Sequence, residues 1–181
     1  MACIEVIKLD FIVKEAMQHS QQPVNYDSLV GQANIKVFGV GGAGSNMVSW
    51  LYKKGIKGAQ IIAANTDLQH LNITHADKKF LIGRDITRGL GCGGFPNKGA
   101  EAAQESMTDI KETLRGTDMV FVCAGMGGGT GTGAAPVIAQ VAKELGCIVI
   151  GTVTMPFNIE RARIDKAEFG LQQLRQVSDT V

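Results

Sequence analysis

Six glycines fall among the nine residues from Gly125 to Gly133, inside AGMGGGTGTGAAP (Ala124–Pro136). Glycine loses more backbone freedom on ordering than any other residue, roughly 0.5–1 kcal/mol relative to alanine. Such a run handicaps folding noticeably against a net domain stability of about 5–15 kcal/mol. Either the segment is a loose linker, or something approaches the backbone so closely that side chains would obstruct it. The flanks decide. MVFVCA (Met119–Ala124) reads as a strand apolar on both faces, as in parallel sheets covered by helices. Ala134 to Leu145 reads as a helix, with Pro136 in its first turn and Gly146 closing it. A loose linker there would uncouple two core elements. The run is read instead as a strand-to-helix turn whose backbone N–H groups, with a helix dipole behind them, face a phosphate. Thr130 and Thr132 add hydroxyl donors.

The same alternation runs along the chain. IKVFGV (Ile35–Val40), IIAAN (Ile61–Asn65), KFLIG (Lys79–Gly83) and CIVIGTVT (Cys147–Thr154) read as further strands. Helices are expected after Gly44 to about Lys54, from Lys98 to Arg115 with Gly116 as its end, and from Glu160 to Gln176. Strand–helix alternation predicts an α/β fold, a Rossmann-like three-layer sandwich with a mostly parallel sheet. Ligands in such sheets sit beyond the carboxyl ends of the strands. Ahead of this domain (residues 31–181), residues 4–17 have amphipathic helical spacing, and His19 to Ser28 read as a polar linker.

A second glycine-rich turn, GVGGAGSN (Gly39–Asn46), satisfies GxGxxG at Gly39, Gly41 and Gly44. Asp67 follows about twenty residues on, where that fingerprint expects a ribose-binding acid. Alone, the pattern supports a nicotinamide- or flavin-dependent oxidoreductase. A third glycine-rich stretch, TRGLGCGGFP (Thr87–Pro96), precedes the long helix. Three such loops exceed what a dinucleotide needs and suit a longer phosphate chain with a metal ion offsetting its charge. The P-loop pattern GxxxxGK[ST] is absent, and no lysine lies in the glycine run.

GGGTGTG (Gly127–Gly133) after an apolar strand resembles the signature of the tubulin and FtsZ superfamily. IKVFGVGGAGSN is similar to the family's first phosphate loop, NTD (Asn65–Asp67) to its second, GLGCGG (Gly89–Gly94) to its third, and TMPF (Thr154–Phe157) to the turn before its ribose-contacting helix. The resemblance implies a GTP/GDP-binding GTPase that takes Mg2+ with GTP. It implies self-association into filaments through the nucleotide face, a cytoplasmic place at the division site, and division-site partner proteins. By the same resemblance, Gly41, Gly42, Ala43, Gly44, Ser45 and Asn46, with Gly127, Gly128, Gly129, Thr130, Gly131 and Thr132, contact phosphates. Asn65, Asp67 and Gly91 join them, Glu160 meets the ribose, and Arg163 stands for the family's arginine. The family writes Glu-Gly-x-x-Arg, whereas this chain writes ERAR (Glu160–Arg163), one residue shorter. On an α-helix that shift turns Arg163 by about 100°. The resemblance covers the family's front half. Its central helix, its water-activating acidic loop and its second domain are not among these residues, so the stretch alone is expected to bind nucleotide and hydrolyse it poorly.

Composition narrows the classes. Lysine and arginine number 18 against 17 acidic residues, scattered rather than clustered, which argues against a nucleic-acid surface. The four cysteines lack CxxC spacing, and Cys123 and Cys147 read as buried hydrophobes of a reduced compartment. Charged residues interrupt every apolar stretch near the N-terminus, and no segment is long and apolar enough to span a bilayer. His19, His70 and His75 form no metal-ligand spacing and read as exposed; no metal-binding or nucleophilic constellation is found. Glu101 and Glu105 read as a solvated face, Trp50 as packing, and Arg88 as facing either a γ-phosphate or a neighbouring subunit.

Overall fold

Val37, Ile61 and Cys123 face one side of a sheet while Phe38, Ile62 and Val122 face the other, the period-2 alternation of strands buried on both faces. A computed structural model describes Gly31 and residues 33–181; the helix expected over residues 4–17 and the linker after it lie outside the described residues. Five strands, β1 (Ile35–Val40), β2 (Ala59–Asn65), β3 (Lys78–Leu81), β4 (Met119–Gly125) and β5 (Ile148–Thr154), form a sheet in the order β3-β2-β1-β4-β5. Every pairing is parallel. After its last helix the chain returns along β5, where Thr180 lies parallel to Ile150.

Helices cover both faces, which makes three layers. On one side α1 (Gly41–Lys53) and α2 (Leu68–Ile73) contribute Val48 and Leu71 to the smaller core. On the other, α4 (Pro96–Glu105), α5 (Met107–Leu114), α6 (Thr130–Glu144) and α7 (Ile164–Val177) pack Ala102, Ile110, Leu114, Ile138 and Leu174 against the sheet. The short α3 (Arg84–Thr87) sits between β3 and α4. Among the described residues no helix is long and apolar enough to cross a membrane.

Five element readings change. Helix α1 begins at Gly41 rather than after Gly44, and α6 at Thr130 rather than Ala134, so Pro136 lies inside α6 and not in its first turn. The stretch from Lys98 to Arg115 is two helices broken at Ser106, whose hydroxyl accepts a bond from Gly83 N–H (3.2 Å). The helix expected from Glu160 opens as a 3-10 turn (Asn158–Arg163) before α7. Finally, β5 is only half buried, because it has a strand on one side and just Thr180 on the other. Gly116 (φ 70°) and Gly146 (φ 83°) end α5 and α6 in the left-handed conformation expected of closing glycines.

Candidate nucleotide site

Strands β1 and β4 are neighbours in the middle of the sheet, and the chain leaves them toward opposite faces, into α1 and α6. This is the switch point at which open parallel sheets hold ligands. The two glycine-rich turns interlock there. A Cβ on Gly41 (φ 71°) would lie 2.7 Å from Gly131 N, and one on Gly131 would lie 2.6 Å from the carbonyl oxygen of Gly125. Neither helix has a side-chain cap or an acidic residue in its first turn. Two sets of free N–H groups, each at the positive end of a helix, therefore open beside one another.

Above them is a hollow of about 360 Å³. Gly42 and Ala43 wall it from α1, Gly125 and Gly128–Gly131 from the other turn, and Thr154–Pro156 with Glu160 and Arg163 from the far side. A second hollow of about 230 Å³ adjoins it, sharing Gly42 and Thr130, and is lined further by Asn46, Asn65, Thr66, Asp67, His70 and Gly91. The expected site residues thus divide. Gly42, Ala43, Asn46, Asn65, Asp67, Gly91, Gly128, Gly129, Thr130, Gly131, Glu160 and Arg163 line the hollows. Gly41, Gly44, Ser45, Gly127 and Thr132 lie behind them: Gly44 abuts the Cys123 carbonyl, Ser45 is fully buried, and the Thr132 hydroxyl accepts Gly127 N–H (2.9 Å).

The backbone kinks at Glu160 (φ −85°, ψ 34°) within the Asn158–Arg163 turn, and Arg163 pairs with Glu160 at 2.8 Å, so both residues line the hollow despite the one-residue shortening. The Glu160 carboxylate also accepts Phe157 N–H (3.1 Å), fixing the turn. Asp67 accepts His70 N–H (3.0 Å) as the cap of α2, while Thr66 and Thr130 join the two hollows through a hydroxyl–hydroxyl bond of 2.7 Å. Cys92, buried, lies 3.4 Å from the Thr66 hydroxyl and 3.5 Å from that of Thr130.

Several lining residues carry no signal in local spacing. Thr66, inside the NTD motif, lines the smaller hollow. His70, read as exposed, is half buried and hydrogen-bonded to Asn46 and Asn65 at 3.1 Å each. Its partners come from different elements, which no local spacing reveals. Other readings shift as well: Glu105 caps α3 through Asp85 and Ile86 N–H, Trp50 is 60% exposed beneath Lys54, and Arg88 is exposed with φ 52°.

The GTPase-domain model of the Tubulin/FtsZ family matches residues 34–181. Cell division protein FtsZ 2 of Methanocaldococcus jannaschii is 53% identical over 170 residues, which are 94% of this chain and 45% of that protein. A solved structure described as an empty FtsZ dimer from M. jannaschii superposes with a TM-score of 0.81 at 47% identity, covering 92% of this chain and 46% of that one. CetZ2 from Haloferax volcanii, solved as a GTPγS-bound protofilament, gives 0.73 at 28% identity over 82% of this chain and 48% of that one. The chain spans less than half the length of these relatives.

Proposed function

The chain belongs to the tubulin/FtsZ family, and on that premise we propose that it binds guanine nucleotide in the paired hollows and serves a GTP-hydrolysing division protein that assembles head to tail. The observation that carries this reading is the pair of uncapped helix N-termini facing one hollow from adjacent central strands. Two such ends, each with glycine or alanine at its mouth, suit a chain of phosphates better than the single pyrophosphate of a dinucleotide.

In this reading Gly42, Ala43 and Gly128–Gly131 hold phosphates through backbone N–H groups, with Asn46, Asn65, Asp67 and Gly91 at the adjoining hollow. Glu160 and Arg163 face the ribose end. Among the described residues no group of three or more His, Cys, Asp or Glu could cage a metal. A Mg2+ ion arriving with GTP would be carried on phosphate oxygens beside Asp67, the carboxylate lining the adjoining hollow, and would offset phosphate charge there.

Assembly through the nucleotide face is supported by the large apolar side chains set around it: Leu90, Phe157 and Ile159 are each about four-fifths exposed or more. CetZ2 itself forms a nucleotide-bound protofilament. A cytoplasmic place at the division site, with division partners, follows from the cell-division relatives as part of the same proposal. The two carboxylates lining the hollows are both engaged, Asp67 by His70 N–H and Glu160 by Phe157 N–H and Arg163. Both already accept hydrogen bonds, and the family's water-activating acidic loop is not among these residues, so the stretch alone hydrolyses GTP poorly, a deficit on the order of 10²–10⁴ in rate. By the family resemblance, the group that activates water comes from the acidic loop of an adjoining full-length subunit.

Calorimetric titration with GDP, GTP, ADP and NAD tests the reading. Guanine nucleotides are expected to bind, and phosphate release from GTP to stay near background. Tight NAD binding without any response to GDP would overturn it in favour of the oxidoreductase alternative.

A further inference from the structure

We propose that His70 is a positioning residue which, as the neutral Nε2–H tautomer, sets the Asn46 side-chain amide so that its NH2 group faces the phosphate hollow as a donor. The inference rests on the nucleotide reading above and adds to it a residue outside the glycine-rich turns.

The polarity follows link by link. Asn65 is 2% exposed, and one of its side-chain atoms receives two backbone N–H groups, from Thr66 (2.9 Å) and Asp67 (3.3 Å). Backbone N–H groups only donate, so that atom is the oxygen Oδ1, and the amide orientation is fixed by the turn itself. The other end, Nδ2, is therefore a donor, and it lies 3.1 Å from His70 Nδ1. A donor requires an acceptor opposite it, which leaves the ring proton on Nε2. Nε2 lies 3.1 Å from Asn46 Oδ1 and donates to it. Asn46 Nδ2 has no protein partner among the described residues, and Asn46 lines the hollow.

The opposite tautomer would reverse every later link. Nε2 would become an acceptor, Asn46 would turn its NH2 toward the ring, and its carbonyl oxygen would face the phosphates. The backbone at Thr66 and Asp67, at the end of β2, thus decides whether α1 offers a donor or an acceptor to the ligand. The ring has little freedom to change this. His70 N–H is held by Asp67 Oδ1, His70 C=O accepts the Thr74 hydroxyl (2.8 Å), and the ring edge passes beside Gly42. Asp67 is the one ionisable side chain besides His70 that lines this hollow. Helix α1 brings Gly42 and Asn46, and the other lining groups are Asn65, Thr66, Gly91 and Thr130.

Two measurements on the 181-residue chain test the proposal. Nitrogen-15 NMR of the ligand-free chain reads the tautomer directly: Nε2–H is expected, and Nδ1–H would overturn the relay whether or not nucleotide binds. GDP titration then reads the consequence. H70A and N46A are each expected to bind GDP about tenfold more weakly, the scale of one hydrogen bond to a charged group. The double variant should be no weaker than either single, because the two residues act as one unit. H70Q keeps a donor at the position of Nε2 and should restore binding to within about threefold. Melting temperatures of all variants separate lost folding from lost positioning. Undiminished GDP affinity in a folded H70A, additive losses in the double variant, or failure of H70Q to rescue would each overturn the proposal. A wild-type chain that ignores GDP altogether would refute the nucleotide reading and its donor role for Asn46, leaving the tautomer result intact.

Discussion

Gly133 and Gly128 look equivalent in the glycine run, yet they should fail in opposite ways when replaced by alanine. A Cβ on Gly133 would sit 1.9 Å from the Pro96 carbonyl oxygen and 2.7 Å from Ala100 N, both backbone atoms of α4. To reach an ordinary contact of 3.4 Å, the start of α4 must retreat from α6 by about 1.5 Å, and no rotamer change can relieve it. Overpacking of this kind costs about 1–3 kcal/mol, and a backbone clash this short belongs at the upper end. Alanine returns about 0.5–1 kcal/mol through helix propensity. The net is a loss of about 2 kcal/mol, which for a domain of this size lowers Tm by about 4–8 °C. A Cβ on Gly128 meets nothing within 4 Å and opens onto the larger hollow. Gly128→Ala should therefore melt within about 0.5 kcal/mol of the parent while binding GDP tenfold or more weakly. Nucleotide-free thermal denaturation followed by circular dichroism, with GDP calorimetry on both variants, separates the two. A Gly133→Ala chain that melts with the parent, or a Gly128→Ala chain that melts low and binds normally, would refute this division of the run.

Two further outcomes follow from other parts of the chain. Asp179 accepts bonds from Lys143 Nζ and from Val149 N–H (2.8 Å), and these, the lysine foremost, hold its carboxyl below the usual aspartate range. A depressed carboxyl stabilises the fold above its unfolded value of about 4 and loses that contribution as pH falls through the lower folded value. The melting temperature of Asp179→Asn should accordingly depend less on pH below about 4 than the parent's; parallel curves would sink the assignment. Burial pushes the Cys123 thiol up to about 11, only partly offset by the Thr152 hydroxyl. Because the thiolate is the reactive form, alkylation of the native chain at pH 8 with site-resolved mass spectrometry should leave Cys123 unmodified, and labelling at the rate of the unfolded chain would contradict its burial.

What the sequence disclosed and what it concealed have physical causes. Val37 to Val40 and Val120 to Ala124 declare themselves because a parallel strand buried on both faces must be apolar throughout. The starts of α1 and α6 stayed hidden because glycine has low helix propensity, yet here close packing of Gly41 on Gly131 and of Gly133 on Pro96 requires it inside or at the mouth of the helices. Ser106 conceals a helix break because apolar spacing continues across it, and its partner Gly83 is distant in sequence. Gly42 and Gly128, which line the larger hollow, were legible as glycines but not distinguishable from Gly44 or Gly133, since only the fold says which glycine faces a backbone and which faces a hollow. His70 was missed for a similar reason: its ring contacts lie on α1 and β2, 24 and 5 residues away.

The pairing of β1 with β4 also sets a clock for the newborn chain. The adjoining bond from Asn34 N–H to Asp118 spans 84 residues, so the central strand β1 leaves the ribosome long before its inner neighbour exists. At about 5–20 residues per second, that interval is roughly 4–17 s. Throughout it, one edge of an apolar strand waits for its partner, a template for mispairing with other nascent chains. The two glycine-rich turns stand side by side only when that wait ends. A ligand that needs the two together can recognise no earlier state, and so reports on the completion of the sheet's longest-range pairing.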